Sequence, residues 1–378
     1  MKKLFLVLIA AFALFGVNVR CQEASPLKLV QALKLPSEVK GNFDHFAIDL
    51  KGGRLFATPE DYKAVVVFDL KTAKLIHTIS GIERPHAVLY RDDMSRLYVT
   101  DGEAGDVKIF DSTAYRLLSS VKLLEDADSI GYDPATKYLY IDNGGGDVHQ
   151  TYSMLSVVDT TAGKKLIDIK IDGDTLEAMA LEKGSSRIYV NNKAKSQVDV
   201  IDREKRELIA SWPVTKGKVN VAMALDEANH RLFIACRGGQ LVVMDTQTGK
   251  EIVALPITKG ADDLTYDPGS KRIYVACDGD ADVYEQVGPG QLQTPCKGTD
   301  RTGREDRALG AGSETVFRGG AAARNHERRG PGFRGALSKA SAGSNSARLY
   351  ATILNRAYED PLSRRRTEGR QFYRAGLA

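Results

Sequence analysis

Two short motifs recur along most of this chain at a spacing of about forty residues. The first is a basic or aromatic residue, an aliphatic residue and an aromatic residue, and its aliphatic residues are Leu55, Leu97, Leu139, Ile188, Leu232 and Ile273. The steps between them are 42, 42, 49, 44 and 41 residues. The second motif ends in an acid and keeps the same phase, with Asp69, Asp111, Asp159, Asp202, Asp245 and Glu285. A fixed period of this length is typical of propellers and solenoids.

Each copy contains four short β-prone runs separated by turn residues, and no long stretch has helical periodicity. In the first copy the runs are 43–49, 54–58, 64–68 and 74–79. Four strands per repeat predict an all-β protein, a β-propeller of four-stranded antiparallel blades with six recognisable copies. The acids that end the second motif are predicted to accept hydrogen bonds from turn amides, as scaffold rather than as catalysts.

The repeat resembles that of the YVTN-type (YncE-like) β-propeller family over about residues 27–286. The segments Arg96-Leu97-Tyr98-Val99-Thr100 and Val243-Met244-Asp245-Thr246-Gln247-Thr248-Gly249-Lys250 carry the resemblance. It implies the propeller fold and little about activity, because propellers carry many unrelated functions.

The first 21 residues are predicted to be a signal peptide, with a basic start and an apolar run over 4–17. This run is shorter than the roughly twenty residues of a membrane span. We therefore expect a periplasmic or secreted protein without a membrane span after signal removal. Lipidation at Cys21 is an alternative that Arg20 fits poorly. Cys236 and Cys277 share one repeat position, which indicates small buried side chains rather than a disulfide or a metal site.

The formal charge of +4 is unevenly distributed. Residues 287–378 carry a net charge of +9, whereas residues 21–286 carry −8. An acidic repeat domain argues against nucleic-acid binding. We expect a monomer whose partner is a small molecule or a protein.

Residues 287–378 form an aberrant tail rich in Arg and Gly, with fifteen Arg and three Val or Ile. The repeat stops in mid-blade there, and the fourth strand of blade six is expected to be absent. One interpretation is a disordered basic tail. The other is a reading-frame shift near Val287, because an adjacent frame of 315–320 can encode a second strand where the period requires one. A lost seventh blade would then have been completed by a strand at 27–35.

The best candidate site is formed by one residue from each copy, eleven positions before the aliphatic residue of the first motif. The innermost strand of each blade begins at this position. Five of six blades carry an acid or a His at this rim position, and Val221 is the exception. We expect these side chains to meet at one end of the central channel. Together with their neighbours, the predicted ligand-binding residues are Asp44, His45, His86, Asp128, Glu177, Asn220, Asp262, Asp263 and His149.

Carboxylates suit a hard ion such as Ca²⁺, and His would admit Zn²⁺ or another transition ion. The metal candidates are Asp44, Glu177 and Asp262, but no cofactor is specified by the sequence. The alternative is a water-filled rim whose acids cap strand ends. His149 belongs to a glycine-rich insertion over 143–153, which is either a lid over the rim or a tolerated surface loop.

These features favour an exported, non-enzymatic propeller that binds a small ligand, an ion or a partner protein at the channel mouth, with no catalytic residue. One alternative is a metal-dependent hydrolase of the lactonase or gluconolactonase kind, with ligands from Asp44, Glu177, Asn220 and Asp262. A second alternative is a quinoprotein-like redox subunit, although the chain has no CxxCH motif and a single tryptophan.

Overall fold

The computed structural model describes residue 27 and residues 32–39, 42–278 and 280–294, together with a strand at 346–348. It contains six four-stranded antiparallel sheets, each formed by four consecutive strands. The innermost strands contact one another in chain order from the first sheet to the sixth. The predicted all-β propeller with six blades is confirmed.

A short strand, β1 (Ala32–Lys34), precedes the blades. The strands of the first three blades follow in chain order. Blade one contains β2 (Phe43–Asp49), β3 (Arg54–Pro59), β4 (Val65–Asp69) and β5 (Lys74–Ile79). Blade two contains β6 (Pro85–Arg91), β7 (Arg96–Asp101), β8 (Asp106–Asp111) and β9 (Leu117–Lys122). Blade three contains β10 (Ile130–Asp133), β11 (Tyr138–Gly144), β12 (Tyr152–Asp159) and β13 (Lys164–Asp172).

The other three blades repeat this order. Blade four contains β14 (Leu176–Leu181), β15 (Arg187–Asn192), β16 (Gln197–Asp202) and β17 (Glu207–Pro213). Blade five contains β18 (Asn220–Asp226), β19 (Arg231–Cys236), β20 (Gln240–Asp245) and β21 (Glu251–Pro256). Blade six contains β22 (Asp263–Asp267), β23 (Arg272–Ala276), β24 (Ala281–Gly288) and β25 (Gln291–Gln293). In the described part of the chain, the helical elements are four short 3-10 turns at Glu60–Tyr62, Asp92–Met94, Gly145–Val148 and Glu227–Asn229.

The turn aspartates act as the sequence predicted. Asp245 accepts hydrogen bonds from the backbone N–H groups of Gln247 (3.0 Å) and Thr248 (2.9 Å). Asp69, Asp111, Asp159 and Asp202 accept bonds from their own turns in the same way. The carboxylates therefore hold the hairpin between the third and fourth strands.

Neighbouring blades are joined by one recurring contact. The aromatic residue of each second strand packs against the aliphatic residues of the next second strand. Tyr189, for example, is fully buried against Leu232 and Ile234. Tyr274 holds the same position in blade six but is only partly buried, and no blade follows it among the described residues. One face of blade six is therefore more open than the equivalent face of blades one to five.

Blade one lies at the other end of the series of blades, and the N-terminal segment packs against it. Leu33 of β1 is 1% exposed and packs against Leu55 and Phe68 of blade one. β1 also pairs antiparallel with β26 (Ser346–Arg348). Within the predicted strand at 27–35, the described strand residues are 32–34. The proposed frame shift and the second strand at 315–320 lie outside the described residues.

One expectation about blade six was wrong, because its fourth strand is present. β25 pairs with β24 through a tight turn in which Gly290 has a φ of 74°. The strand was missed because Gln291-Leu292-Gln293 contains no β-branched or aromatic residue. Cys236 and Cys277 are buried free thiols, as predicted. No helix in the described part of the chain is long and apolar enough to cross a membrane.

Candidate functional site

The central channel encloses a cavity of about 560 Å³. The innermost strands of all six blades contribute to its wall, with Ala47, Val88, Ile130, Met179, Met223 and Leu264 among the lining residues. His45, Ser129 and Asp263 line it near the predicted rim. The middle of the channel is apolar, so its polar chemistry is concentrated at its ends.

Four of the innermost strands carry an irregularity at the rim position. The pairing register shifts between Phe43 and Phe46, between Pro85 and Val88, between Leu176 and Met179, and between Asn220 and Ala222. Such a bulge redirects the side chains beside it. The rim residues of blades one, two, four and five lie within or beside these bulges.

A threonine on the second strand satisfies the backbone of the first two bulges. The Thr58 hydroxyl accepts a hydrogen bond from His45 N and donates one to His45 O, both at 2.9 Å. The Thr100 hydroxyl accepts from Ala87 N at 2.8 Å and donates to Asp128 O at 2.7 Å. In blade three the equivalent residue, three after the recurring aliphatic, is Asp142. This position therefore holds a carboxylate where its two predecessors hold a hydroxyl.

Rim residues of the first two blades form a close pair. Nδ1 of His86 lies 2.6 Å from Oδ2 of Asp44, and Nε2 of His45 lies 3.5 Å from Oδ1 of Asp44. Burial disfavours the charged forms of Asp44, His45 and His86, but the attraction between the carboxylates and the imidazolium rings has the larger effect on their pKa values. The two imidazoliums hold the pKa of Asp44 at about 2. Burial alone would lower the histidine pKa values, but nearby carboxylates raise them to about 9 for His45 and about 10 for His86.

The rim residue of blade three completes a cluster of three. One potential ligand atom from each of Asp44, His86 and Asp128 lies within 4.8 Å of the other two. These residues stand 42 positions apart in three consecutive blades. The repeat thus brings together three of the predicted site residues in a geometry that a metal ion could bridge.

The ring of His86 is fixed in position, but only one of its two nitrogens has a hydrogen-bond partner among the described residues. His86 is 5% exposed, and its Nε2 has no hydrogen-bond partner among the described residues. A Cβ at residue 102 would lie 2.5 Å from Cδ2 and Nε2 of His86, so Gly102 is required for the ring to fit. A buried imidazole nitrogen without a partner is costly, which marks this nitrogen as a candidate for a ligand or an ordered water.

Blade three contributes a concentration of negative charge. Burial raises the pKa of Asp126 to about 6, with a further contribution from Asp128. Burial and Asp44 raise the pKa of Asp128, and burial and Asp128 raise that of Asp142 well above its ordinary value. Oδ1 of Asp142 is buried without a hydrogen-bond partner, and neither Asp128 nor Asp142 forms an ion pair among the described residues. This negative charge is therefore less well balanced than that elsewhere on the rim.

The rim acids of blades four and six are paired with cations. Glu177 forms an ion pair with Lys193, and Oδ1 of Asp262 lies 2.5 Å from the Arg237 guanidinium. Asp263 accepts a hydrogen bond from Leu264 N at 2.7 Å. Of the predicted metal candidates, only Asp44 belongs to the cluster of three, whereas Glu177 and Asp262 have basic partners.

Two predicted site residues have other surroundings. The Asn220 side chain is buried and donates hydrogen bonds to Asn191 Oδ1 and to Gln197 O, both at 3.0 Å. It thus joins blades four and five. His149 is exposed at the end of the 3-10 turn of the insertion, with no described side-chain contact to the cluster. Gly144 N of the same insertion donates to Glu125 O at 2.7 Å, so the insertion does lie beside the loop that precedes the innermost strand of blade three.

No protein-family model matches the chain. The chain is 27% identical over 190 residues to "Uncharacterized protein YncE" of Salmonella typhi. The match covers 48% of this chain and 50% of the relative, so it spans about half of that protein's length.

One solved structure extends the likeness in fold, and a second aligns more weakly. A chain from "Crystal Structure of Mitotic Checkpoint Complex" aligns with a TM-score of 0.57 at 14% identity, covering 78% of this chain and 88% of that one. A chain from "Kuenenia stuttgartiensis Hydrazine Synthase" aligns with a TM-score of 0.45 at 15% identity, over 67% and 97% of the two chains. The repeat, the six sheets and the curated relative support a YncE-like β-propeller.

Proposed function

We propose that this chain is an exported, non-enzymatic β-propeller that binds a small cation or a small cationic ligand at the channel mouth. The observation that carries the proposal is the unbalanced charge of Asp128 and Asp142. Neither carboxyl group forms an ion pair among the described residues, although Asp128 lies within 4.8 Å of His86, and a bound cation would favour the ionised form of both.

The contrast with the rest of the rim supports this location. Glu177 and Asp262 already have Lys193 and Arg237 as partners, so they offer little attraction to a further cation. In the part of the chain that the structure describes, neither Asp128 nor Asp142 forms an ion pair. The attraction for a cation is therefore directed toward blades one to three.

The histidines argue for binding rather than hydrolysis. Their carboxylate neighbours raise the pKa of His45 to about 9 and that of His86 to about 10. Both rings are then protonated at neutral pH, and a protonated imidazole cannot accept a proton as a general base. A hydrolase of the lactonase kind would then need a carboxylate rather than a histidine as its base.

Thermal unfolding of the full chain with a panel of cations tests the proposal. The panel contains Ca²⁺, Mn²⁺ and Zn²⁺, together with choline and spermidine. A ligand that binds only the folded state raises the unfolding temperature, and the shift grows with the logarithm of the ligand concentration once this exceeds the Kd. We expect at least one cation to stabilise the wild type and to lose this effect when Asp128→Asn and Asp142→Asn are combined.

A matched double variant controls for net charge. Asp92→Asn with Asp93→Asn removes two negative charges at the opposite end of β6, where both side chains are exposed. This variant should keep the full response. Equal loss in both double variants, or no response of the wild type to any cation, would overturn the proposal.

A further inference from the structure

The cluster of Asp44, His86 and Asp128 offers a specific ligand set. Two carboxylates and one imidazole from three blades each place a potential ligand atom within 4.8 Å of the other two. Asp128 forms no ion pair among the described residues, so its carboxylate stays beyond direct contact with the neighbouring imidazolium ring. The separation leaves room for an ion between them.

Two buried atoms without hydrogen-bond partners support a ligand here independently of the acidic charge. Nε2 of His86 is one, and Oδ1 of Asp142 is the other. Their residues are 5% and 3% exposed. Both residues lie next to Asp128, because Asp142 O accepts a hydrogen bond from Asp128 N at 3.1 Å and His86 places a potential ligand atom within 4.8 Å of the Asp128 carboxylate. Buried polar atoms are otherwise nearly always satisfied, so two orphans beside one carboxylate point to a missing ligand.

We infer that Asp44, His86 and Asp128 bind a divalent transition-metal ion, with Asp142 as a fourth oxygen donor or as the partner of a metal-bound water. This inference rests on the proposed function and names its ligand. Imidazole favours transition ions such as Zn²⁺ and Mn²⁺ over Ca²⁺, while carboxylates accept all three. Coordination through a His86 ring nitrogen would release to solvent the proton which that nitrogen carries.

The ring of His86 already has the support that a metal ligand needs. Asp44 contacts Nδ1, and Gly102 closes the other edge so tightly that the ring has little freedom to rotate. Metal-binding histidines typically have their orientation fixed by a second contact of this kind.

Titration of the chelator-treated full chain with Mn²⁺ alone and with Zn²⁺ alone, followed by calorimetry, tests the inference. We expect one saturable site, whose affinity falls at least tenfold in Asp128→Asn. Asp263→Asn removes the same charge from the same rim outside the cluster, and it should change the affinity less than threefold. Equal losses in the two variants would show that general electrostatic attraction, rather than coordination, holds the ion.

A measurement on the wild type alone protects the test against a misfolded variant. Substoichiometric Mn²⁺ should broaden the ring resonances of His86 and His45 before those of His77 and His230. Uniform broadening of all four, or an absence of any Mn²⁺ or Zn²⁺ binding at millimolar concentration, would overturn the metal site. Should choline or spermidine stabilise the protein while no metal binds, the inference fails and the proposed function stands. If no cation of either kind acts, both fail.

Discussion

Nδ1 of His86 lies 2.6 Å from Oδ2 of Asp44, although 42 residues separate them in the chain. This contact exists because equivalent positions in neighbouring blades converge at the channel. Its consequence is that Asp44 is compensated by two histidines at contact distance, while Asp128, at the next equivalent position, forms no ion pair among the described residues. The imbalance should be measurable as stability.

Asp142→Asn should stabilise the protein. The substitution removes a buried carboxyl group whose ionisation is disfavoured by burial and by Asp128, and it keeps the side-chain shape. We expect the free energy of unfolding to rise by about 1 kcal/mol at neutral pH in a buffer containing EDTA, a typical gain at a functional site that is not optimised for stability. Urea denaturation measures this. Asp92→Asn at the exposed opposite end should change little, and a clear loss of stability in Asp142→Asn would mean that this carboxylate is satisfied in solution.

Glu182→Gln should destabilise the protein in a pH-dependent way. Burial tends to raise the pKa of Glu182, but hydrogen bonds from Ser185 and Tyr189 and the Arg187 guanidinium lower it below 4.5. A depressed carboxyl pKa stabilises the fold above the unfolded value, and this contribution disappears as the pH falls through the folded value. We expect a loss of about 3 kcal/mol at pH 7, since a buried pair is broken.

The loss in Glu182→Gln should shrink as the pH falls below 4.5, which urea denaturation at pH 7, 5.5 and 4 can follow. Glu204→Gln, at an exposed turn, is the control and should have little effect at any of these values. A loss in Glu182→Gln that stays constant down to pH 4 would contradict the assigned charge interaction.

Tyr189→Ala and Tyr274→Ala compare a closed blade face with an open one. Tyr189 is fully buried between blades four and five, and its truncation should cost about 4 kcal/mol. Tyr274 occupies the same repeat position but is only partly buried, so its truncation should cost at most about half as much. Urea midpoints provide the comparison. Equal costs would show that the open face of blade six is covered in solution.

Gly145→Ala should disturb the insertion of blade three. Gly145 has a φ of 82°, and a Cβ there would lie 2.3 Å from Asp174 O. The substitution should therefore destabilise the protein by about 1–3 kcal/mol. Gly146→Ala is the matched control, since its nearest contact would be an ordinary 3.7 Å. Limited proteolysis should cut the loop faster in Gly145→Ala alone, and similar rates in both variants would argue against a rigid insertion.

Much of the fold and part of the candidate site could be predicted because the recurring motifs align the six copies with one another. Counting eleven residues back from Leu55, Leu97 and Leu139 selects Asp44, His86 and Asp128, which the structure places together. The turn role of Asp245 followed from its place after a strand.

The remaining features depend on contacts that the inner strand does not contain. Asp142 lies on the second strand, and only a comparison with Thr58 and Thr100 at the same repeat position would have marked it as unusual. The partners of Glu177 and Asp262 come from the loops that follow the second strands, so their ion pairs could not be predicted from the rim alone.

A site built from one position of successive repeats can change one blade at a time. Exchange of one blade for a copy of its neighbour, as recombination between tandem repeats allows, would replace His86 by an aspartate or Asp128 by a histidine. The hairpins and interblade packing would be retained, because these depend on residues that the copies already share. The ligand preference of the channel mouth could therefore change in a single genetic event, without an intermediate protein that fails to fold.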